Sequence, residues 1–342
     1  MHLTTLSPFW TSFFLLLLAF PASSALTRSP HPDHPDLRFD FALIGDTGYN
    51  EQQVTNEVPN LFAEMNRFKL AFVVHDGDIK AGAMPCTDAI FEQRFRLFQD
   101  SRHPLIYLFG DNEWTDCGNH KEQPFEPVER LERLRSMFCS GDQSLGRRTL
   151  TLERQSNNRR FGQFRENVRW DYGNILFVGL NVPGAINNFN NKKEFGPRNA
   201  ANLAWIKEAF ALATRENYRA LMFILQANPN FDAAPNTPKR AGFNDMLKLF
   251  EEETVKWGKQ VVFVHGDTHY FRIDQPLVSS VSKRRIENFT RVETYGNPDM
   301  HWLRVRVDWR DRNVFTFRPM HVKQNLVDHT KRPVTAAPPE VH

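Results

Sequence analysis

Four short polar clusters contain the residues of this sequence that could do chemistry, and each comes directly after an apolar run. The clusters are residues 45–48, 75–78, 110–113 and 265–269, which read GDTG, HDGD, GDNE and HGDTH. Carboxylate oxygens and imidazole nitrogens are ligands of divalent metals such as Mn, Fe or Zn. A single Gly-Asp pair is also a common turn, so one cluster alone indicates little. Four such clusters at successive strand ends favour a metal site.

An alternation of strands and helices must position these clusters. Strands are predicted at 39–44, 70–75, 105–109, 175–180, 220–225 and 260–264, followed by shorter ones at 271–273, 302–307 and 314–318. Helices are predicted at 51–68, 88–100, 128–137, 199–214 and 243–257, with Pro59 as an interruption of the first. In open α/β sheets, ligands bind outside the carboxyl ends of the strands, so the clusters should converge on one crevice. Residues 140–166 are polar and Arg-rich without a clear period, which predicts an insertion or a long surface loop.

Composition places the chain among ordinary globular proteins. It has 342 residues, of which 41% are hydrophobic and 24% charged, enough for one large domain or two small ones. The net charge of +3 gives no indication of a nucleic-acid-binding face, which would show a concentrated basic surface. Three cysteines are too few for a disulfide-dense scaffold. Oligomeric state cannot be read from these features.

The N-terminal residues are typical of a secretory signal peptide. The apolar run at 13–20 is followed by Pro21 and the small residues 22–25, so cleavage is expected after Ser24 or Ala25. A retained anchor or a buried helix is the alternative for this run. No later run is long and apolar enough to span a bilayer. We therefore expect a secreted, extracellular protein.

Secretion permits disulfides and glycans. Cys86 and Cys117 each follow a strand-end cluster closely, on loops that neighbouring parallel strands would place at one edge, so a Cys86–Cys117 disulfide is predicted, with Cys139 left over. Asn288 begins an Asn-Phe-Thr acceptor pattern, which predicts a glycosylation site if the host glycosylates.

In order and spacing, from about Phe39 to Arg318, these motifs resemble those of the calcineurin-like metallophosphoesterases, most of all the purple acid phosphatases. The runs GDNEW at 110–114 and HGDTH at 265–269 also resemble a secreted subgroup of that superfamily. The resemblance implies an α/β fold of four layers, α/β/β/α, in which two β-sheets pack as a sandwich flanked by helices. It implies a site for two divalent or trivalent metal ions (Mn, Fe or Zn) and hydrolysis of a phosphoester substrate.

The predicted boundaries are a signal peptide at 1–25, a loose leader at 26–37, the phosphoesterase domain at 38–322 and a flexible tail at 323–342.

The resemblance also implies a role for each matching position. The predicted metal ligands are Asp46, Asp78, Asp111, Asp267 and His269. Among them, Asp78 matches the carboxylate that bridges two metals. Ala227 stands where the family has another ligand histidine, so Gln226 or Asn228 is predicted to supply an amide oxygen instead.

The departures from the family pattern affect the leaving group. Asn112 stands where the family has the histidine that assists it, and an amide can only hydrogen-bond a phosphate oxygen. Lys80 is a candidate contact for the phosphate. Candidates for the missing acid are His75, His265, His120 and His301. Alternatively, the enzyme prefers good leaving groups that need no acid.

Two interpretations of these departures remain. The ligand changes keep oxygen donors, which favours an intact site tuned towards harder, more anionic ligation. The alternative is a catalytically impaired pseudo-phosphatase that binds a phosphorylated ligand or a protein partner. Ala81 occupies the position of the family's metal-binding tyrosine, so a tyrosinate-to-iron bond from that position is not expected. The substrate stays open among monoesters, diesters, nucleotides and phosphoproteins.

Overall fold

A computed structural model describes residues 1–2, 38–119 and 124–326 of the chain. The remainder of the predicted signal peptide and leader, His120, and the predicted tail from residue 327 onward lie outside these residues. The chain divides into Met1–Pro35 and Asp36–His342, and the elements below belong to the second unit. In the described residues, no helix is both long enough and apolar enough to cross a membrane.

The first layer of strands is a five-stranded sheet with the order β12-β11-β1-β2-β3. Its strands are β1 Arg38–Ile44, β2 Val73–His75, β3 Leu105–Tyr107, β11 Trp302–Asp308 and β12 Phe315–Met320. Strands β1, β2 and β3 are parallel, with Ile44 opposite His75 and His75 opposite Tyr107. Strand β11 runs antiparallel to both β1 and β12. The parallel strands therefore end together at the first three polar clusters.

The second layer of strands is a seven-stranded sheet with the order β4-β5-β6-β7-β8-β10-β9. Its strands are β4 Glu153–Arg154, β5 Val168–Tyr172, β6 Ile175–Gly179, β7 Ala220–Ile224, β8 Gln260–His265, β9 Arg272–Asp274 and β10 Phe289–Glu293. The central strands β6, β7, β8 and β10 are parallel, and the outer strands are antiparallel. The fourth polar cluster follows β8.

Helices flank both sheets. They are α1 Val58–Met65, α2 Asp88–Gln99, α3 Pro127–Phe138, the single turn α4 Gly184–Asn187, α5 Lys192–Arg215 and α6 Asn244–Trp257. Pro59 lies just after the π-helical turn Gln53–Glu57 in a helical stretch that begins at residue 51, so the predicted interruption takes the form of a π-helical turn before α1. Helix α5 begins earlier than predicted and contains Pro197.

Three apolar cores separate four layers. In the five-stranded sheet, Ala42 and Ile44 of β1 face α1, α2 and α3, while Phe41 and Leu43 face the other sheet. The same alternation in β7 sends Leu221 and Phe223 towards α5 and α6 and its other residues towards the middle. The predicted α/β/β/α sandwich is thereby confirmed.

Three strands, β4, β5 and β10, escaped the sequence analysis, and all three contain charged residues. Strand β10 includes Arg291 and Glu293, which are 1% and 0% exposed. Both are neutralised in place, since Arg291 pairs with Asp274 and Arg272 Nε lies 2.6 Å from Glu293 Oε2. Strand β5 alternates Arg and Asp with apolar residues. Buried ion pairs thus replace the apolar pattern that normally indicates a strand.

The disulfide and acceptor-site predictions have different outcomes. Cys86 and Cys117 form a disulfide with Cα atoms 5.7 Å apart, as predicted, and Cys139 is free and buried. Asn288 Nδ2 donates to the carbonyl oxygens of Thr254 (3.1 Å) and Lys259 (2.7 Å). A glycan on that nitrogen would displace these bonds, so the structure lends the acceptor pattern no support.

Candidate functional site

The four polar clusters meet at the carboxyl ends of the strands. Backbone bonds join the turns after β1 and β2, because Asp46 N and Thr47 N donate to Gly77 O and Asp78 O at 2.9 Å. Across the sandwich, Asp267 N lies 3.3 Å from both carboxylate oxygens of Asp46. The predicted convergence therefore exists, and both sheets contribute to it.

Four of the five predicted metal ligands have left-handed backbones. The φ angles of Asp46, Asp78, Asp267 and His269 are 49°, 59°, 78° and 57°. Positive φ is uncommon for residues other than glycine, although Asp and His tolerate it better than most. Such conformations persist only where the surroundings enforce them, and they concentrate at functional sites. The turns therefore impose the directions of these side chains.

We use "carboxylate cluster" for the four aspartates Asp46, Asp78, Asp111 and Asp267. Asp46, Asp78 and Asp111 are at most 3% exposed. Burial, and then the charges of Asp111 and Glu113, raise the pKa of Asp78 well above its usual range. Burial and the charge of Asp267 raise the pKa of Asp111 in the same way. Buried carboxylates this close together need protons or cations to balance them.

Tyr49 places its hydroxyl among these groups, a role that sequence reasoning missed. The oxygen lies 3.1 Å from Asp78 Oδ2, 3.1 Å from His269 Nε2 and 3.4 Å from Asp46 Oδ1. It accepts a bond of 2.9 Å from Asn112 Nδ2. Burial and the charges of Asp78 and Asp46 raise the pKa of Tyr49, so the phenol keeps its proton. Tyr49 lies three residues after Asp46 in the same turn, but the direction of its side chain depends on the positive φ of Asp46 and Gly48, which sequence spacing does not reveal.

His269 supplies an imidazole to the cluster. Its Nε2 lies 3.3 Å from Asp46 Oδ1, and its ring packs edge-on against Tyr49. Burial alone would lower the pKa of His269, but the charge and hydrogen bond of Asp46 outweigh burial and raise it. The raised pKa favours the charged form of this imidazole, which would offset part of the carboxylate charge.

Glu113 ties two of the turns together and was also missed. Its Oε1 accepts from Tyr107 Oη (2.6 Å), Gly110 N (2.7 Å) and Asp78 N (3.2 Å). A Cβ on Gly110 would collide with Asp78 Oδ1, so only glycine leaves that carboxylate its place. Glu113 thus joins the turn that carries Asp78 to the turn that begins at Gly110.

Asp111 lies against a strained turn. A Cβ on Gly184, the first residue of α4, would come within 2.5 Å of Asp111 Oδ2. The next residues, Ala185, Ile186 and Asn187, have φ angles of 48°, 59° and 59° and form a left-handed turn, which costs about 1–2 kcal/mol per residue. Asp111 Oδ1 is buried and has no hydrogen-bond partner in the described part of the chain. That orphaned oxygen suits a bound cation.

The two amide candidates reach the site differently. Gln226 donates from Nε2 to Asp78 Oδ2 (3.1 Å), while its Oε1 accepts from Gly184 N (2.6 Å). Asn228 contacts Asp267 through its backbone N–H (2.8 Å), and its side-chain oxygen accepts from the backbone of Asn230 (3.0 Å). Both amide oxygens are engaged away from the cluster, so their role as metal ligands stays a prediction.

The two substrate candidates also differ. Asn112 lies beside the cluster, where its backbone N–H donates to Asp78 Oδ1 at 3.2 Å. Lys80 is fully buried, and its Nζ donates to Ala81 O (3.1 Å) and Met84 O (2.8 Å). Burial lowers the pKa of Lys80 in spite of the charges of Glu113 and Asp78. Lys80 is therefore placed to offset buried charge, while its ammonium group is held by two carbonyls.

Three of the four histidines proposed as the missing acid, His75, His265 and His301, are buried, and His120 lies outside the described residues. Burial lowers the pKa of both His75 and His265 to about 3. His75 Nε2 lies 2.9 Å from Thr47 Oγ1, and His265 Nδ1 bonds to Gly266 O at 2.8 Å. His301 lies against the carbonyl of Met300, and burial lowers its pKa as well. None of these three carries a proton to donate at neutral pH.

The donor chemistry of the site fits a hard cation. Carboxylates outnumber the local positive charges, and three buried carboxylate oxygens, on Asp76, Asp111 and Glu113, have no hydrogen-bond partner in the described residues. Those residues contain no group of three His, Cys, Asp or Glu side chains already arranged around one metal position. The Tyr49 hydroxyl lies among the donors instead. A cation entering the cluster must therefore be accommodated beside that hydroxyl or displace it.

Comparison with solved structures identifies similar folds. PhoD aligns over 82% of this chain and 65% of its own, with a TM-score of 0.50 and 11% identity. GAP50, the anchor in the inner membrane complex of Plasmodium, aligns over 84% and 90%, with a TM-score of 0.46 and 11% identity. A 5'-nucleotidase from Candida albicans SC5314 aligns over 82% and 50%, with a TM-score of 0.44 and 9% identity.

Sequence comparison adds no relative to these structures. No protein-family model matches the chain, and no curated protein matches it. The likeness to PhoD, at 11% identity, shows a shared fold. That fold is the metallo-dependent phosphatase fold, which the strand-end motifs predicted.

Proposed function

We propose that this chain, which has the metallo-dependent phosphatase fold, is an exported metal-dependent phosphoester hydrolase that works at the carboxylate cluster. The observation that carries the proposal is the convergence of aspartates from both sheets, with more negative charge than local cations balance. The Cys86–Cys117 disulfide supports export, because disulfides persist in oxidising compartments.

The residues that would hold the metals are those of the predicted set. They are Asp46, Asp78, Asp111, Asp267 and His269. Two divalent ions, when bound, would supply Lewis acidity that lowers the pKa of water and neutralises charge on the phosphoryl oxygens. Asn112 Nδ2 now donates to Tyr49 Oη and could donate to a phosphoryl oxygen instead. Glu113 keeps the turns of Asp78 and Gly110 in register.

The leaving group would receive little help from the chain. His75 and His265 are neutral and fully buried, and the amide of Asn112 can donate a hydrogen bond but cannot act as a general acid. General acid catalysis typically contributes about 10²–10⁴ in rate, so esters with poor leaving groups should be slow. The proposed enzyme therefore favours substrates whose leaving groups are already weak bases.

A pseudo-phosphatase is the second candidate, and Tyr49 is the observation that favours it. Its hydroxyl bonds Asp78, His269 and Asn112 at 2.9–3.1 Å, close to where a cation would sit. A protein in which the Tyr49 hydroxyl occupies the metal position would keep the fold and could bind a phosphorylated partner without turnover.

One experiment separates the two candidates. Metal analysis of the secreted protein is combined with a screen of phosphomonoesters, phosphodiesters, nucleotides and phosphopeptides. The hydrolase should hold about two metals per chain and turn over at least one substrate. Metal-free protein, or metal without turnover, favours the pseudo-phosphatase. Tyr49→Phe then tests the closure directly, because removal of a blocking hydroxyl should strengthen metal binding.

A further inference from the structure

A basic cavity of about 800 Å³ lies at the opposite end of the five-stranded sheet from the carboxylate cluster. Residues directly before β2 and β3 line it, together with the C-terminal ends of α1 and α2 and the loop at 147–148. Its cationic side chains are Arg67, Lys69, Arg102, Arg147 and Arg148. Asp100 is the carboxylate in the same lining. The volume is within the range of small-molecule sites.

Hydrogen bonds to neighbouring protein groups fix the positions of two guanidinium groups, those of Arg102 and Arg148. Arg148 Nη2 lies 2.7 Å from Nδ1 of His103, a side chain that is 1% exposed, and Arg148 Nε donates to Arg102 O at 3.2 Å. Arg102 Nη1 donates to Asn66 O at 2.8 Å. Because arginine only donates, His103 must accept through Nδ1 and is neutral. Each guanidinium has five N–H groups, so both arginines keep further donors for a ligand.

Local charges do not balance these cations. Arg147 pairs with Asp100 at 3.2 Å, and Arg67 pairs with Glu64 at 3.0 Å. Lys69, Arg102 and Arg148 form no ion pair with any described residue. The C-terminal ends of two helices contribute about one further negative charge in total. Roughly two positive charges therefore remain without compensation in the cavity.

We propose that this cavity binds a small ligand that carries two adjacent phosphate groups. Guanidinium groups match phosphate oxygens in pairs, and the uncompensated charge matches such a ligand. The chemistry is shared by a free nucleoside diphosphate and by the headgroup of a doubly phosphorylated lipid. The site is separate from the carboxylate cluster, whose negative charge repels anions when no metal is bound, and does not depend on the proposed hydrolase activity.

Calorimetric titration with inorganic pyrophosphate tests the proposal. EDTA in the buffer removes any metal-dependent binding at the carboxylate cluster from the signal. We expect saturable binding of one pyrophosphate per chain, weakened about fivefold by Lys69→Gln and by Arg148→Gln. Arg215→Gln changes an exposed arginine outside the cavity and should leave the affinity unchanged. Equal affinity in wild type and Lys69→Gln, or no saturable binding, overturns the proposal.

Two further arms identify the source of the phosphates. ADP is titrated in the same way, and flotation is measured with vesicles that contain a phosphatidylinositol bisphosphate. Binding in either arm that is weakened by Lys69→Gln supports the site and names its ligand class, and binding in both arms that Lys69→Gln leaves unchanged overturns it. Lys69 is exposed and forms no hydrogen bond with a described residue, so its variant keeps the fold even if Arg148→Gln does not.

Discussion

Asp78 decides at the level of a single residue whether the carboxylate cluster binds cations. Its carboxylate contacts Tyr49 and Gln226 and lies beside the backbone of Asn112. We expect Asp78→Asn to abolish metal binding and hydrolysis and to leave the fold intact. Metal content per chain measures the first effect. Asp142→Asn, an exposed aspartate away from the site, is the matched control.

The same variant should change stability in opposite directions with and without metal. The folded pKa of Asp78 is raised above its usual value of 3.8, so the folded state holds a proton that the unfolded state loses. Folding of the metal-free wild type is therefore increasingly penalised as the pH rises above about 4. In EDTA, Asp78→Asn should melt at a higher temperature than wild type at pH 7.5, with a smaller difference at pH 4.5. With Mn²⁺ the order should reverse, and full metal content in the variant would contradict this placement of the site.

Asn112 tests whether the missing acid limits the rate. It lies beside Asp78 and donates to Tyr49, so it can be replaced without disturbing a cation ligand. We expect Asn112→Ala to keep the metal content and lower turnover modestly. Asn112→His should raise turnover most for poor leaving groups. The measurement is the rate for aryl phosphates of graded leaving-group pKa, and an unchanged slope in the histidine variant would argue against a missing acid.

Residue types and strand-end positions were enough to predict the carboxylate cluster. Asp46, Asp78 and Asp111 each follow a parallel strand, and parallel strands bring their ends together. The roles of Tyr49 and Glu113 could not be predicted, because they depend on where a side chain points after a turn, and the turn before Tyr49 includes Asp46 and Gly48 at positive φ. Sequence spacing carries no information about that direction.

At the scale of the element, the turn after β3 controls the position of Asp78. A Cβ on Gly110 would collide with Asp78 Oδ1, and the turn cannot move freely because Gly110 N is bonded to Glu113. We therefore expect Gly110→Ala to lower metal affinity at least tenfold, an order-of-magnitude figure for a displaced charged ligand. Titration with Mn²⁺ measures it.

Gly141 offers a matched control for this substitution. A Cβ there meets nothing within 4 Å, so Gly141→Ala should leave both affinity and stability unchanged. If Gly110→Ala binds metal as well as Gly141→Ala does, the turn after β3 does not determine the position of Asp78.

Elements with regular apolar patterns were predicted well, and charged ones were not. Strands β7 and β8 are nearly continuous apolar runs, β1 ends in the apolar run 41–44, and all three lie where the sequence placed them. Strand β10 was missed because Arg291 and Glu293 occupy buried positions. Their partners, Asp274 and Arg272, come from β9, so the compensation is tertiary and cannot be read from β10 alone.

At the scale of the whole molecule, the disulfide limits how far the unfolded chain can expand. Cys86 and Cys117 are separated by 31 residues and belong to the layer of α1, α2 and α3. Closing a loop of that length should stabilise the fold by about 3–4 kcal/mol. We expect Cys86→Ser with Cys117→Ser to lower the free energy of unfolding by that amount in urea denaturation. Cys139→Ala, which breaks no disulfide, is the control, and an equal loss in both would refute the assignment.

The pairing of β1 with β11 determines the order in which parts of the fold can form during synthesis of the chain. Arg38 bonds Asp308, 270 residues later, so β1 can pair early with β2 but waits far longer for its other neighbour, β11. The two disulfide cysteines emerge early and can join first. The carboxylate cluster is complete only when Asp267 has been synthesised, His269 follows two residues later, and the five-stranded sheet closes after that. A nascent chain stalled before residue 269 should therefore be oxidised at Cys86 and Cys117 while the metal-binding residues are still incomplete.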